Sequence, residues 1–272
     1  MILISGCEDP VPTDYTEEYL VEGILMVGEP IRDIRVLRTL PITQKFVYDS
    51  TIVRTANVRI IGDNKVFELE IDTSVYGYYY SGDYLVKAET EYRLEAEMPD
   101  GSVFRGKTTT PPYTQWVKMP PDTIFFPKDT LNLTTPDSLY MEWESIPGYS
   151  FYMVRINCLD TLEYGKYLAD VADEEKNRRV FGPPKSDYAF RETSSWILLP
   201  ASKTPVVWSV FKWYGLHEVK IMVPDFNFIE WFLQYGTSSQ YNDLLGSIEN
   251  GKGAFGSASA IRDTSFLIKN QP

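Results

Sequence analysis

Asn57–Ile61 (NVRII) and Lys65–Ile71 (KVFELEI) flank Gly62-Asp63-Asn64. Apolar and polar residues alternate on both sides of a turn that tolerates positive φ, which predicts a β-hairpin. The pattern returns where Tyr92–Met98 (YRLEAEM) and Ser102–Thr108 (SVFRGKT) flank Pro99-Asp100-Gly101. Tyr19–Leu25 (YLVEGIL), Ile31–Leu40 and the tyrosine-rich Tyr76–Tyr80 (YGYYY) complete a run of short strands separated by turn signals. Such spacing over residues 19–112 predicts a β-sandwich. An aromatic content of 14%, with 19 tyrosines, favours strands further.

The closing hairpin of this unit, from Tyr92 to Pro112, resembles the last hairpin of Ig-like and prealbumin-like modules. Thr110-Pro111-Pro112 ends it, because proline cannot donate to a ladder and forces its predecessor into an extended conformation. Residues 113–136 are rich in Pro and Thr and are read as a linker.

A second unit is expected over 137–272. Asp137–Trp143 (DSLYMEW), Pro147-Gly148 and Ser150–Cys158 (SFYMVRINC) resemble the B and C strands of a fibronectin type III sandwich, which implies that Trp143 is core. Asp160–Glu192 reads as a charged, solvated insertion. Strands are expected again at Ser195–Leu199, Val206–Trp213 and His217–Val223. A short helix follows over Phe226–Tyr235, with Phe228, Phe232 and Tyr235 on one face and Asp225 as its cap. The predicted fold class is all-β, with two β-sandwich domains.

The start of the chain, Met1–Asp9 (MILISGCED), carries a different signal. Ile4-Ser5-Gly6-Cys7 resembles the lipobox of bacterial lipoproteins, which implies cleavage before Cys7 and acylation of its sulfur. The apolar run is shorter than the 7–15 residues of a signal segment and lacks a basic start, as if most of the signal were missing. A chance Ser-Gly-Cys near a frayed terminus is the alternative. Residues 8–18 are acidic and proline-punctuated, a composition that reads as an unfolded tether. Acidic residues after the cysteine are similar to the surface-export signal of Bacteroidetes lipoproteins. The order of lipobox, first sandwich, His217–Asp225 (HEVKIMVPD) and the tail Leu245–Ala260 (LGSIENGKGAFGSASA) resembles a family of two-domain surface lipoproteins of unknown function from that group. The resemblance implies an outer-membrane, cell-surface location through a lipid anchor, and association with a TonB-dependent transporter.

Chemistry is sparse. The net charge is −12 and the basic residues are scattered, so nucleic acid is a poor partner. The two cysteines and one histidine cannot build a disulfide framework, a Cys site or a His-rich metal site. Cys158 lies in an alternating strand and reads as a buried thiol, and His217, also in a strand, reads as structural or exposed. Gly251–Gly256 matches G-x-G-x-x-G, yet only sixteen residues follow it, so it reads as a bulged turn feeding the last strand. No cofactor is expected and no catalytic residue is assigned. Trp213, Tyr214 and Trp231 flank a turn and the helix and are the candidate platform for a glycan or peptide; core packing is the competing reading. Ser50, Thr123, Thr130, Ser138 and Thr161 sit in Asp-Ser/Thr motifs similar to the Bacteroidetes O-glycosylation signal. The expected function is a non-catalytic binding or accessory subunit at the cell surface, with a surface glycan hydrolase or an adhesin as alternatives.

Overall fold

The computed structural model describes residues 15–74, 76–127, 139–159, 194–211, 213–237 and 246–268. The chain begins with β1 (Tyr19–Met26), β2 (Arg35–Arg38) and a single helical turn, α1 (Tyr48–Thr51). Then come β3 (Asn57–Gly62), β4 (Lys65–Glu68), β5 (Glu70–Asp72), β6 (Gly77–Tyr79), β7 (Glu91–Glu97) and β8 (Val103–Thr109). Next are β9 (Trp116–Lys118), β10 (Thr123–Phe125), β11 (Tyr140–Trp143), β12 (Tyr152–Cys158), β13 (Ser194–Leu199), β14 (Lys203–Pro205) and β15 (Gly215–Pro224). The chain closes with helix α2 (Phe226–Thr237), β16 (Ile248–Glu249) and the long β17 (Lys252–Ile268).

The all-β class is as expected, and both hairpins form where the turns predicted them. Asp63 and Asn64 take φ of 52° and 56°, the left-handed pair that matches strand twist in a two-residue turn. Gly101 takes φ 85°, and the Met98 N–H donates to the Ser102 carbonyl at 2.8 Å.

One sheet runs in the order β13-β12-β15-β17-β1-β2, with β10 also beside β17; the others are β16-β8-β7-β3-β4, β14-β11-β9 and the pair β5-β6. The 17-residue β17 is the spine. Its first part runs parallel to β1, from Leu20↔Lys252 to Met26↔Ala258. Its second part runs antiparallel to β15, from Pro224↔Ala258 to Gly215↔Leu267. Hydrophobic cores lie on both faces of this sheet. Val21, Leu25, Phe255, Tyr92 and Leu94 form one core between β1–β17 and the β7–β8 layer. Trp143, Tyr152, Val154, Ile221 and Leu267 form a second under β11. Helix α2 covers the outer face where Met153, Met222 and Ala258 meet Phe228. A strand covered on both faces is apolar or small throughout rather than alternating, and residues 253–259 of β17 are all buried.

The expected boundaries need correction. The two sandwiches share a sheet, because β17 belongs to both and β16 extends the first one beside β8. The stretch read as a linker is built in: β9 pairs with β11, β10 pairs with β17, and Ile124 and Phe126 are buried. Proline carbonyls there find donors from β17. The Ser259 hydroxyl reaches the Pro112 carbonyl at 2.6 Å, and the Ser265 hydroxyl reaches that of Pro121 at 2.7 Å. Its last residues, 128–136, and all of the charged insertion lie outside the described residues. The strand expected over Val206–Trp213 does not form: β14 ends at Pro205, and a 3-10 turn, Trp208–Val210, tucks Trp208 into the second core. Trp143 is core as expected, edge-on to Tyr152 at 5.5 Å.

Candidate functional site

The starts of β1 and β17, the turn between β7 and β8 and the turn before β17 meet at one end of the first sandwich. They enclose an open cleft of about 490 Å³. Tyr19 and Phe104 line it edge to face, ring centres 5.7 Å apart. Glu17, Glu18 and Asp100 supply carboxylates, and Lys252 pairs with Glu18 at 3.0 Å. Asp100 accepts the Ser102 hydroxyl at 2.6 Å and its N–H at 2.9 Å, bonds that hold its carboxyl below the usual range. Desolvation and the nearby Glu17 raise the Tyr19 phenol. An aromatic floor with a carboxylate rim suits a polyhydroxylated or cationic ligand. Its Ser102 hydroxyl is bound to the Asp100 carboxylate within the turn, and among the described residues no histidine lines the cleft.

A charge network crosses the outer face of the shared sheet. Arg155, Lys220 and Arg262 lie side by side in register on β12, β15 and β17. Glu29, in the turn after β1, reaches over them. Its carboxylate pairs with Arg262, with Arg32 at 3.2 Å and with Lys220 at 3.7 Å. Burial pushes the Glu29 carboxyl up, but Lys220 and Arg262 outweigh it and hold it below the usual range. Burial, then the charge of Arg262, lowers Lys220.

Asp225 does cap α2: the Phe228 N–H donates to Oδ1 at 2.8 Å. The same carboxyl accepts the Thr108 hydroxyl, and Thr108 meets Ser257 at 2.6 Å, so the cap also ties β8 to β17. Desolvation raises its pKa. His217 is buried, with Nδ1 2.8 Å from the Gly215 carbonyl and its ring edge-on to Phe211 at 5.0 Å. Burial pushes its pKa down to about 4, so the ring is neutral and structural. Cys158 is buried, as expected.

The predicted platform does not assemble. Tyr214 packs in the second core, edge-on to Phe126 at 5.9 Å, and Trp213 is 4% exposed. Trp231 lies on the opposite face of the sheet, its indole N–H donating to Glu22 at 3.0 Å. Flanking a turn did not expose Trp213 and Tyr214, because residues 213–215 are all buried. Of the glycosylation candidates, Thr123 is exposed on β10, and Ser50 is half-buried in α1 with its hydroxyl on the Val47 carbonyl at 2.7 Å. Cys7, Thr130, Ser138 and Thr161 lie outside the described residues. Sequence reasoning missed the Glu29 network; its signal was a lone charged residue in the apolar runs around Arg155 and Lys220. Among the described residues no three His, Cys, Asp or Glu side chains converge as a metal site, and no helix is long and apolar enough to cross a membrane.

Fold and site together define an all-β protein of two sandwiches built on a shared strand. The chain belongs to the DUF4249 family, whose description is a domain of unknown function and whose model matches residues 8–259. That match spans both sandwiches. No curated protein matches the chain.

Proposed function

We propose that this chain is a lipid-anchored outer-membrane protein of the Bacteroidetes type, exposed at the cell surface and acting as a non-catalytic binding subunit. The observation that carries the reading is Ile4-Ser5-Gly6-Cys7 directly before the family match, which starts at Glu8. A diacylated cysteine holds a protein stably at a bilayer, whereas one acyl chain holds it only marginally. The fold suits display. β17 starts at the cleft end, near the tether, and its 17 residues reach at most about 56 Å toward the second sandwich. A partner at the far end therefore meets one continuous sheet rather than two beads on a linker. That partner is, in this proposal, a TonB-dependent transporter, and the cleft at the near end takes a glycan or peptide.

Affinity purification from the native outer membrane, followed by mass spectrometry of the N-terminus, tests the proposal. An acylated Cys7 and a transporter subunit in stoichiometric amount are expected. A soluble native protein with an unmodified Cys7 overturns the anchor. Glycan turnover lost on changing one Asp or Glu, with the fold intact, replaces the binding role by a hydrolase.

A further inference from the structure

The loop between β2 and α1 reads Thr39-Leu-Pro-Ile-Thr-Gln-Lys-Phe-Val-Tyr48. All eight residues 42–49 are exposed. Ile42 is 86% exposed, Phe46 69% and Val47 49%. Single exposed apolar residues are ordinary, but three large ones on one loop tip mark an interaction surface.

The base of this loop is fixed on both sides. Thr39 exchanges backbone and side-chain bonds with Glu18: its N–H donates to the Glu18 carbonyl at 2.9 Å, and its hydroxyl accepts the Glu18 N–H at 3.1 Å. The Tyr15 hydroxyl meets the Thr39 hydroxyl at 2.9 Å. On the other side Arg38 Nε donates to the Ser50 carbonyl at 3.2 Å, and the Thr51 hydroxyl donates to the Tyr48 carbonyl at 2.6 Å. The turn between them closes through the Gln44 N–H on the Pro41 carbonyl at 2.9 Å. The apolar tip therefore projects from a pinned base rather than folding back over the sheet.

Its position decides what covers it. Tyr15, bonded to the loop base, is separated from Cys7 only by Glu8–Asp14. Eight Cα steps span at most about 28 Å when fully extended. If Cys7 sits in a bilayer, the loop tip lies within reach of the same lipid surface.

We propose that Ile42, Phe46 and Val47 insert into the lipid surface beside the tether, as a second, non-covalent membrane contact that fixes the orientation of the first sandwich on the bilayer. Lys45, between the apolar residues, stays at headgroup level. The inference rests on the lipid-anchor reading of Cys7, since the tether sets the distance. Apolar insertion depends on buried area and is little screened by salt, unlike purely electrostatic adsorption.

The test uses the full chain as the unacylated Cys7→Ser protein, floated with vesicles of phosphatidylethanolamine and phosphatidylglycerol at 3:1. Co-flotation is expected and should persist in 0.5 M NaCl. The Ile42→Ser/Phe46→Ser double variant should partition at least about tenfold more weakly with an unchanged melting temperature. No flotation of the unvaried loop, or equal flotation of both proteins, overturns the proposal. So does concentration-dependent self-association that the double variant abolishes, which assigns the loop to a second copy. Acylation of Cys7 is measured separately by mass spectrometry of native material. An acylated protein whose loop does not bind vesicles removes the loop contact alone, whereas flotation without acylation keeps the loop and removes the anchor.

Discussion

Gly253 lies so close to Val21 that a β-carbon added to it would stand 2.0 Å from the Val21 carbonyl oxygen. Its φ is 113°, a backbone conformation only glycine adopts without strain. This contact is where the last strand docks beside the first. Gly253→Ala should destabilise the protein by about 3 kcal/mol or more, since strain and a backbone clash add. The loss should appear in urea unfolding as a lower midpoint of one cooperative transition, because β17 serves both cores. Two separated transitions, with only one displaced, would refute the shared spine.

Asp225 offers a test of cap against charge. Its carboxyl is raised by desolvation, so the folded state favours the protonated form more than the unfolded chain does. The stability it contributes is present at low pH and lost as pH rises through its folded pKa. Asp225→Asn keeps an acceptor for the Phe228 N–H without a buried charge. It should be at least as stable as the parent at pH 8 and lose this component of the pH dependence. Asp225→Ala removes the cap and should cost about 1–2 kcal/mol. Thermal melts of the three proteins from pH 4 to 8 decide this; equal losses for Asn and Ala would count against the charge argument.

What the sequence disclosed follows from the range of each interaction. Both hairpins and the Asp225 cap were legible because adjacent residues specify them, and the core position of Trp143 followed from the likeness of its strand to those of fibronectin type III sandwiches. The parallel pairing of β1 with β17 was not, since it joins strands more than 200 residues apart and leaves no local period. Gly251–Gly256 reads in the sequence as a bulged turn feeding the last strand, yet β17 already runs from Lys252, and its small side chains have a packing reason. A β-carbon at Gly256 would stand 2.8 Å from the Phe228 nitrogen, and one at Gly106 would stand 2.6 Å from the Phe255 β-carbon. Aromatic exposure was misread for a related reason: whether a ring beside a turn faces water depends on which sheet the turn packs against. Hence Trp213 and Tyr214 are core, while the Glu29 network is assembled from three distant segments.

Glu29 is shared by Arg32, Lys220 and Arg262, and the Lys220 side chain is only 9% exposed. Removing the carboxylate leaves a buried ammonium between Arg155 and Arg262. Glu29→Leu should therefore cost about 2 kcal/mol, less than a fully buried pair because the network reaches the surface. Adding Lys220→Met should restore part of that loss, because the uncompensated charge goes with it. A double-mutant cycle in urea measures the coupling, and additive losses would show that Glu29 does not act through Lys220.

His217 sets the acid limit of the fold earlier than the carboxylates do. Its pKa is pushed from the ordinary 6.5 down to about 4 by burial. The unfolded chain therefore binds a proton that the folded chain refuses. The stability from the neutral ring is complete above pH 6.5 and is lost as pH falls toward 4, about 3 kcal/mol over that window. Carboxylates held low by partners, such as Glu29, Glu91 and Glu95, lose their contribution only at lower pH, through and below the ordinary Glu value. His217→Phe keeps the apolar contact with Phe211 and gives up the bond to the Gly215 carbonyl. It should be less stable than the parent at pH 7.5, by about 1 kcal/mol, yet nearly flat between pH 6.5 and 4.5, where the parent declines. Melting temperatures across that interval give the comparison. Parallel slopes in the two proteins would mean that another group carries the acid sensitivity.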